Sequence, residues 1–305
     1  MPAGDTPARL RRFALALCLA LAALWLPACQ RGAGPGPARP GTTEAAALRP
    51  VDAVYLLRDR LLERDGAGFA RLAVPPDLHA ELETAWTQGR SRWPLDELPL
   101  DAHIPGMLAA LQVPQADKAL MATFRKQFAN ADRDIDQAVR TLMVFGGEYV
   151  QNDPEYDADA RDHIAQAIAA LGRWALAAPL ADPKRAQRFF ATLSAAAVRS
   201  GIDGKAGNAA FAALGMTQSL NRLSPFLATL LAQLRQQYGL DIDAALRGLR
   251  VTLERQTGDE ATLRVQYALA GLPVDARMPA VRIDGRWYLA GYVRRARQSL
   301  DGGPR

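Results

Sequence analysis

Cysteine is nearly missing from this chain: two in 305 residues, Cys18 and Cys29, both close to the N-terminus. Beyond residue 29 there is no thiol, so that part holds no disulfide and no cysteine nucleophile, and its stability must come from a packed core. Histidine is almost as scarce, with His79, His103 and His163 alone. A metal site needs several converging ligands. Asp159 and His163 stand four apart on one expected helix face, which is too few for a site and reads as a helix-surface pair. No Gly-x-Ser-x-Gly occurs. The one Gly/Lys run, Gly201-Ile202-Asp203-Gly204-Lys205, lacks the spacing of a phosphate loop and reads as a helix connection. The acidic stretch of Glu148, Asp153, Glu155, Asp157 and Asp159, near Tyr149 and Tyr156, shows no spacing for calcium or paired-acid chemistry and reads as a solvated loop. No catalytic residue, metal or cofactor is therefore assigned. The formal net charge of +5 comes without a dense Lys/Arg block, which argues against a nucleic-acid partner.

What is present starts at the N-terminus. Arg9, Arg11 and Arg12 precede a 14-residue apolar run, Phe13 to Leu26. A positive segment followed by a short apolar one is the pattern of a secretory signal. The run falls short of the roughly 20 residues that a spanning helix needs. It ends in Leu26-Pro27-Ala28-Cys29, which resembles the lipobox of bacterial lipoproteins. That resemblance implies a cleaved signal peptide over residues 1–28, lipid on Cys29, and a membrane as partner through that lipid. Gln30, where aspartate would imply retention in the inner membrane, implies delivery to the outer membrane, facing the periplasm.

Residues 29–50 are rich in Gly, Pro and Ala and show no apolar period, so they form a lipidated tether. From 51 to 240 the apolar residues recur at helical spacing. Pro50 suits the first turn of the first helix, which carries Val51, Val54, Tyr55 and Leu61 up to Asp65-Gly66. Asp77 is expected to cap a helix bearing Leu78, Leu82 and Trp86, and Trp93 to Pro105 to form an ordered loop. Asp182-Pro183 opens another helix and Gly201 stops it. The last helix of this region runs from about Thr217 to Tyr238, kinked or reset at Pro225 and stopped by Gly239.

Over 241–296 the period changes to two. Leu249, Val251 and Leu253 alternate with polar residues, as do Leu263, Val265, Tyr267 and Leu269. A Pro-containing loop then leads to Val281 and Ile283, Asp284-Gly285 makes a tight hairpin turn, and Arg286 to Val293 is the last strand. The class is α+β: a mostly helical region followed by a four-stranded antiparallel meander packing on it. Residues 297–305 read as a disordered tail, with Arg294, Arg295 and Arg297 as a solvated basic cluster first and a contact to an anionic surface second.

The helix pair 51–74 and the meander 247–293, with its closing Asp284-Gly285-Arg286-Trp287-Tyr288-Leu289, resemble parts of an NTF2-like cone. The resemblance implies helices against a curved sheet and a cup-shaped pocket for a small apolar molecule, as in carriers or isomerase-type enzymes. On a strand, Trp287 would face one side and Tyr288 and Tyr292 the other, which makes these three the candidate ligand-binding residues. Two functions stand side by side: a lipoprotein that binds or scaffolds envelope proteins, and a small-molecule carrier or enzyme. The lack of catalytic residues favours binding.

Overall fold

The structure, a computed structural model, describes residues 46–98, 101–152 and 156–302. The expected signal peptide, Cys29 and the expected tether up to residue 45 lie outside the described residues.

The first helix, α1 (Pro50–Glu63), starts on Pro50 as read, with the Asp52 carboxylate accepting from the Arg49 backbone N–H at 3.1 Å. It ends at Arg64, whose φ of 67° reverses the chain. Asp65 belongs to the next element: it caps α2 (Gly66–Ala73) by accepting from the Gly68 N–H at 2.7 Å. A Cβ on Gly68 would stand 2.0 Å from that carboxylate, so the cap requires glycine there. Helix α3 (Pro76–Thr87) starts at Pro75 and Pro76, with Asp77 inside its first turn instead of at the cap.

Trp93 to Pro105 is more regular than a loop. Two short 3-10 turns, Leu95–Glu97 and Asp101–His103, lead into α4 (Ile104–Gln112). Then come α5 (Ala116–Gln127), α6 (Asp132–Asn152), α7 (Ala158–Ala177) and α8 (Pro183–Ser200). Asp182 caps α8 through the Lys184 and Arg185 amides, and Gly201 ends it in the left-handed region. The Gly201–Lys205 segment packs on α4. Gly204 gives its N–H to Gln112 Oε1 at 3.0 Å, and a Cβ on it would fall 2.2 Å from the Ala109 nitrogen. That amide is occupied by the fold.

A short α9 (Asn208–Leu214) precedes α10 (Met216–Tyr238), which ends on Gly239 as expected. Pro225 does not break α10. The preceding turn is braced by Ser224, whose hydroxyl donates to the Leu220 carbonyl at 2.8 Å. After α11 (Ile242–Arg247) come β1 (Arg250–Thr257), β2 (Glu260–Leu269), β3 (Leu272–Ile283) and β4 (Arg286–Leu289), paired in that order and all antiparallel.

Two expectations for this region need correction. The Pro-containing loop is strand: β3 is 12 residues long and carries Pro273 and Pro279. It is reached by a tight turn at Ala270-Gly271, both with positive φ, the same device as the Asp284-Gly285 turn. The last strand stops at Leu289, and residues expected to be strand and tail instead form α12 (Ala290–Gly302). Arg295 and Ser299 hold α12 to the 91–97 segment, which a free tail could not do.

One continuous core joins helices and sheet. It holds Phe69, Trp86, Leu108, Phe211 and Phe226 from the helices and Leu263, Val265, Val274 and Trp287 from the strands. The buried indoles have partners: Trp86 donates to Phe211 O at 2.9 Å and Trp174 to Tyr238 O at 2.8 Å. On the solvent side of the sheet, Arg264 pairs with Asp275 and Arg277 with Glu254. β4 covers β3 only over residues 280–283, and α7 covers more of that edge. Gln166 of α7 accepts from the Asp275 N–H at 2.8 Å and donates to its carbonyl at 2.9 Å, occupying ladder groups left open there.

Candidate functional site

Among the described residues, a larger and a smaller hollow adjoin the sheet. The larger is an open groove of about 810 Å3 between α12 and the sheet around the β1–β2 turn. Its helix wall is Ala290, Val293, Arg294, Arg297, Gln298 and Asp301, which recur at the intervals of three and four that define one helix face. The sheet wall runs from Arg255 and Thr257 through Glu260 and Thr262 to Val281 and Ile283. Ala261 and Ala280, paired directly across β2 and β3, also line it. Small side chains at that pair leave space that leucine or valine would occupy. The size falls in the range usual for small-molecule sites, roughly 300–1,000 Å3.

The groove is charged at its walls. Arg294 lies 3.6 Å from Asp157, the capping residue of α7. Among the described residues, Arg255 and Arg297 have no ion-pair partner, and neither do Glu260 and Asp301.

The opposite side of α12 is anchored. Arg295 Nε donates to Glu97, whose other oxygen accepts from Trp93 Nε1 at 3.0 Å. Ser299 donates to Asp96 at 2.9 Å and sits 2.5 Å from the Ser91 hydroxyl. Burial pushes the Glu97 and Asp96 carboxyls up. For Glu97 the charge of Asp96 adds to this while Arg295 and Trp93 oppose it; for Asp96 the charge of Asp101 adds while Ser299 and Arg92 oppose. Tyr292 stands edge-on to Phe69 at 5.5 Å, with its phenol pushed up to about 12 by burial.

The smaller hollow, about 150 Å3, lies where the chain enters the fold at Ala46 and Ala47. Trp287 and Tyr288 line it, with Leu56, Leu72, His79 and Arg286. Trp287 is 3% exposed and its backbone N–H donates to Ala47 O at 2.8 Å.

The three aromatic candidates are thus divided. Trp287 and Tyr288 share this small hollow, whereas Tyr292 lies on α12, packed against Phe69 and Arg295. The strand pattern that grouped Tyr288 with Tyr292 does not apply, because a helix begins at Ala290. Sequence reasoning missed Arg255 entirely and took Arg294 and Arg297 for a tail. The available signal was the helical spacing of Ala290, Val293, Arg297 and Asp301.

His163 is not paired with Asp159 on the surface as expected. Its Nε2 lies 2.8 Å from the Tyr267 hydroxyl of β2, and burial lowers its pKa to about 4. Asp153 and Glu155 of the acidic stretch lie outside the described residues, and Asp157 accepts from the Ala160 N–H. Among the described residues no three His, Cys, Asp or Glu side chains converge as a metal site requires, and no helix is long and apolar enough to cross a membrane. Compared with known proteins, no family model matches the chain, and no match is found among curated proteins or solved structures.

Proposed function

We propose that this chain is a lipid-anchored protein of the bacterial cell envelope, carried on Cys29 at the outer membrane, whose folded part captures a ligand from the periplasm. The groove between α12 and the sheet carries this reading. It combines an apolar lining with polar and charged walls, the usual make-up of a binding site. The test is native mass spectrometry of the full chain extracted from its membrane. The expected result is a reproducible added mass that is lost in Val281→Trp, which fills the groove, while the melting temperature of the variant stays close to that of the parent. A variant that folds and keeps the added mass would show that the ligand sits elsewhere; a chain that carries no added mass would count against the groove.

A second reading is an NTF2-like carrier with its cup between α1 and the sheet. It draws on one arrangement: α1 contacts all four strands, and Tyr55 accepts from the Val251 N–H at 3.0 Å. The hollow holding Trp287 and Tyr288, at about 150 Å3, has room for only a small group.

A further inference from the structure

Two elements distant in sequence bring arginines to the groove: Arg255 from β1, and Arg294 and Arg297 from α12. Arg294 has Asp157 beside it, but among the described residues Arg255 and Arg297 have no anionic partner. Two carboxylates also line the groove, each toward an end of its element: Glu260 beside the β1–β2 turn and Asp301 at the end of α12. With Arg294 taken by Asp157, the remaining guanidinium groups, Arg255 and Arg297, equal these carboxylates in number and lie further along their elements from those ends. The remaining lining includes Val281, Val293 and the methyl groups of Ala261 and Ala280.

Shape adds a second constraint. The lining face of α12 extends from Ala290 to Asp301, about 16 Å at the rise of an α-helix. A ligand following that face is elongated, with an apolar body along the methyl-rich lining and an acid group toward the arginines. A guanidinium fork matches the paired oxygens of a carboxylate or phosphate.

We infer that the groove takes an elongated amphipathic acid, a carboxylate or phosphate monoester on an apolar chain, held by Arg255 and Arg297. This rests on the groove being the binding site. The test uses the full chain in an uncharged detergent, titrated with hexanoate, hexyl phosphate and hexanol and read by saturation-transfer NMR. The expected result is that at least one acid binds about tenfold or more tightly than hexanol, the value of a charge-assisted hydrogen bond. Arg255→Gln and Arg297→Gln should each weaken that acid by about the same factor, while Arg133→Gln, on the surface of α6, leaves it unchanged. Preference for hexanoate would name a fatty-acid type of source, and preference for hexyl phosphate a phosphate-headed one. Hexanol binding as tightly as both acids, with the arginine variants silent, would overturn the acid assignment and leave the groove standing. Silence from all three probes would overturn both.

Discussion

His163 sits where α7 meets β2, and its imidazole is neutral at pH 7 because burial beside Tyr267 disfavours the cation. The folded pKa of about 4 lies below the ordinary 6.5. Between those values the unfolded chain binds the extra proton, so stability rises with pH across the window and falls on acidification. The loss from this group between pH 7.5 and 4.5 is on the order of 2–3 kcal/mol. Urea unfolding of His163→Gln should show a smaller acid-induced loss than the parent by about that amount. Equal losses in both chains would remove His163 as the cause. None of this is legible in the sequence. The spacing of Asp159 and His163 fits a surface pair equally well, and Tyr267 is 104 residues away.

At the scale of elements, α12 shapes the groove with one face and is pinned by the other. Glu97 serves Arg295 and Trp93 together, so removing its carboxyl leaves a cation and an indole N–H without their acceptor. Glu97→Ala should cost about 2 kcal/mol, discounted from the full value of a buried pair because Arg295 is 40% exposed. Glu97→Gln should cost less, since the amide keeps an acceptor for Trp93 and burial already favours a neutral group. Arg294→Ala, which breaks only a half-exposed contact of 3.6 Å, should change the melting temperature little. Hydrogen exchange would show whether α12 amides open first in Glu97→Ala; unchanged protection there would mean the helix is held by packing alone. The helices with local stop and start signals were readable: Pro50, Asp182-Pro183, Gly201 and Gly239 act within one turn of themselves. The end of β4 was not. Trp287-Tyr288-Leu289 continues into Tyr292-Val293, and the docking of Arg295 and Ser299 on the 91–97 segment, with Tyr292 against Phe69, favours helix from Ala290 onward.

For the whole molecule, the proposed anchor and the folded part are separate questions with separate tests. Cys29→Ser removes the only sulfur that can carry lipid at the cleavage position. Cells fed a labelled fatty acid should incorporate it into the parent and not into the variant, and the variant should accumulate as an uncleaved or soluble form. Label in the variant would overturn the lipoprotein reading. Melting of the folded part should be unaffected, because among the described residues the core runs from Ala47 onward, well separated in sequence from Cys29.

By itself the sequence determined the α+β class, the type of most elements, and a change from helical to alternating period, which it put at 241 although α11 runs on to Arg247. Those follow from interactions within a few residues: periodic burial, caps and tight turns. The proposed export and lipid attachment also rest on the sequence, on the short peptide that ends at Cys29. The tertiary structure decided where the last strand gives way to helix, the state of His163 and the groove. Each depends on residues far apart in sequence: Arg295 bonded to Glu97, His163 to Tyr267, and β1 and α12 lining one groove, which nothing local brings together. The packed core makes those meetings, and the spacing of residues along a chain holds no record of them.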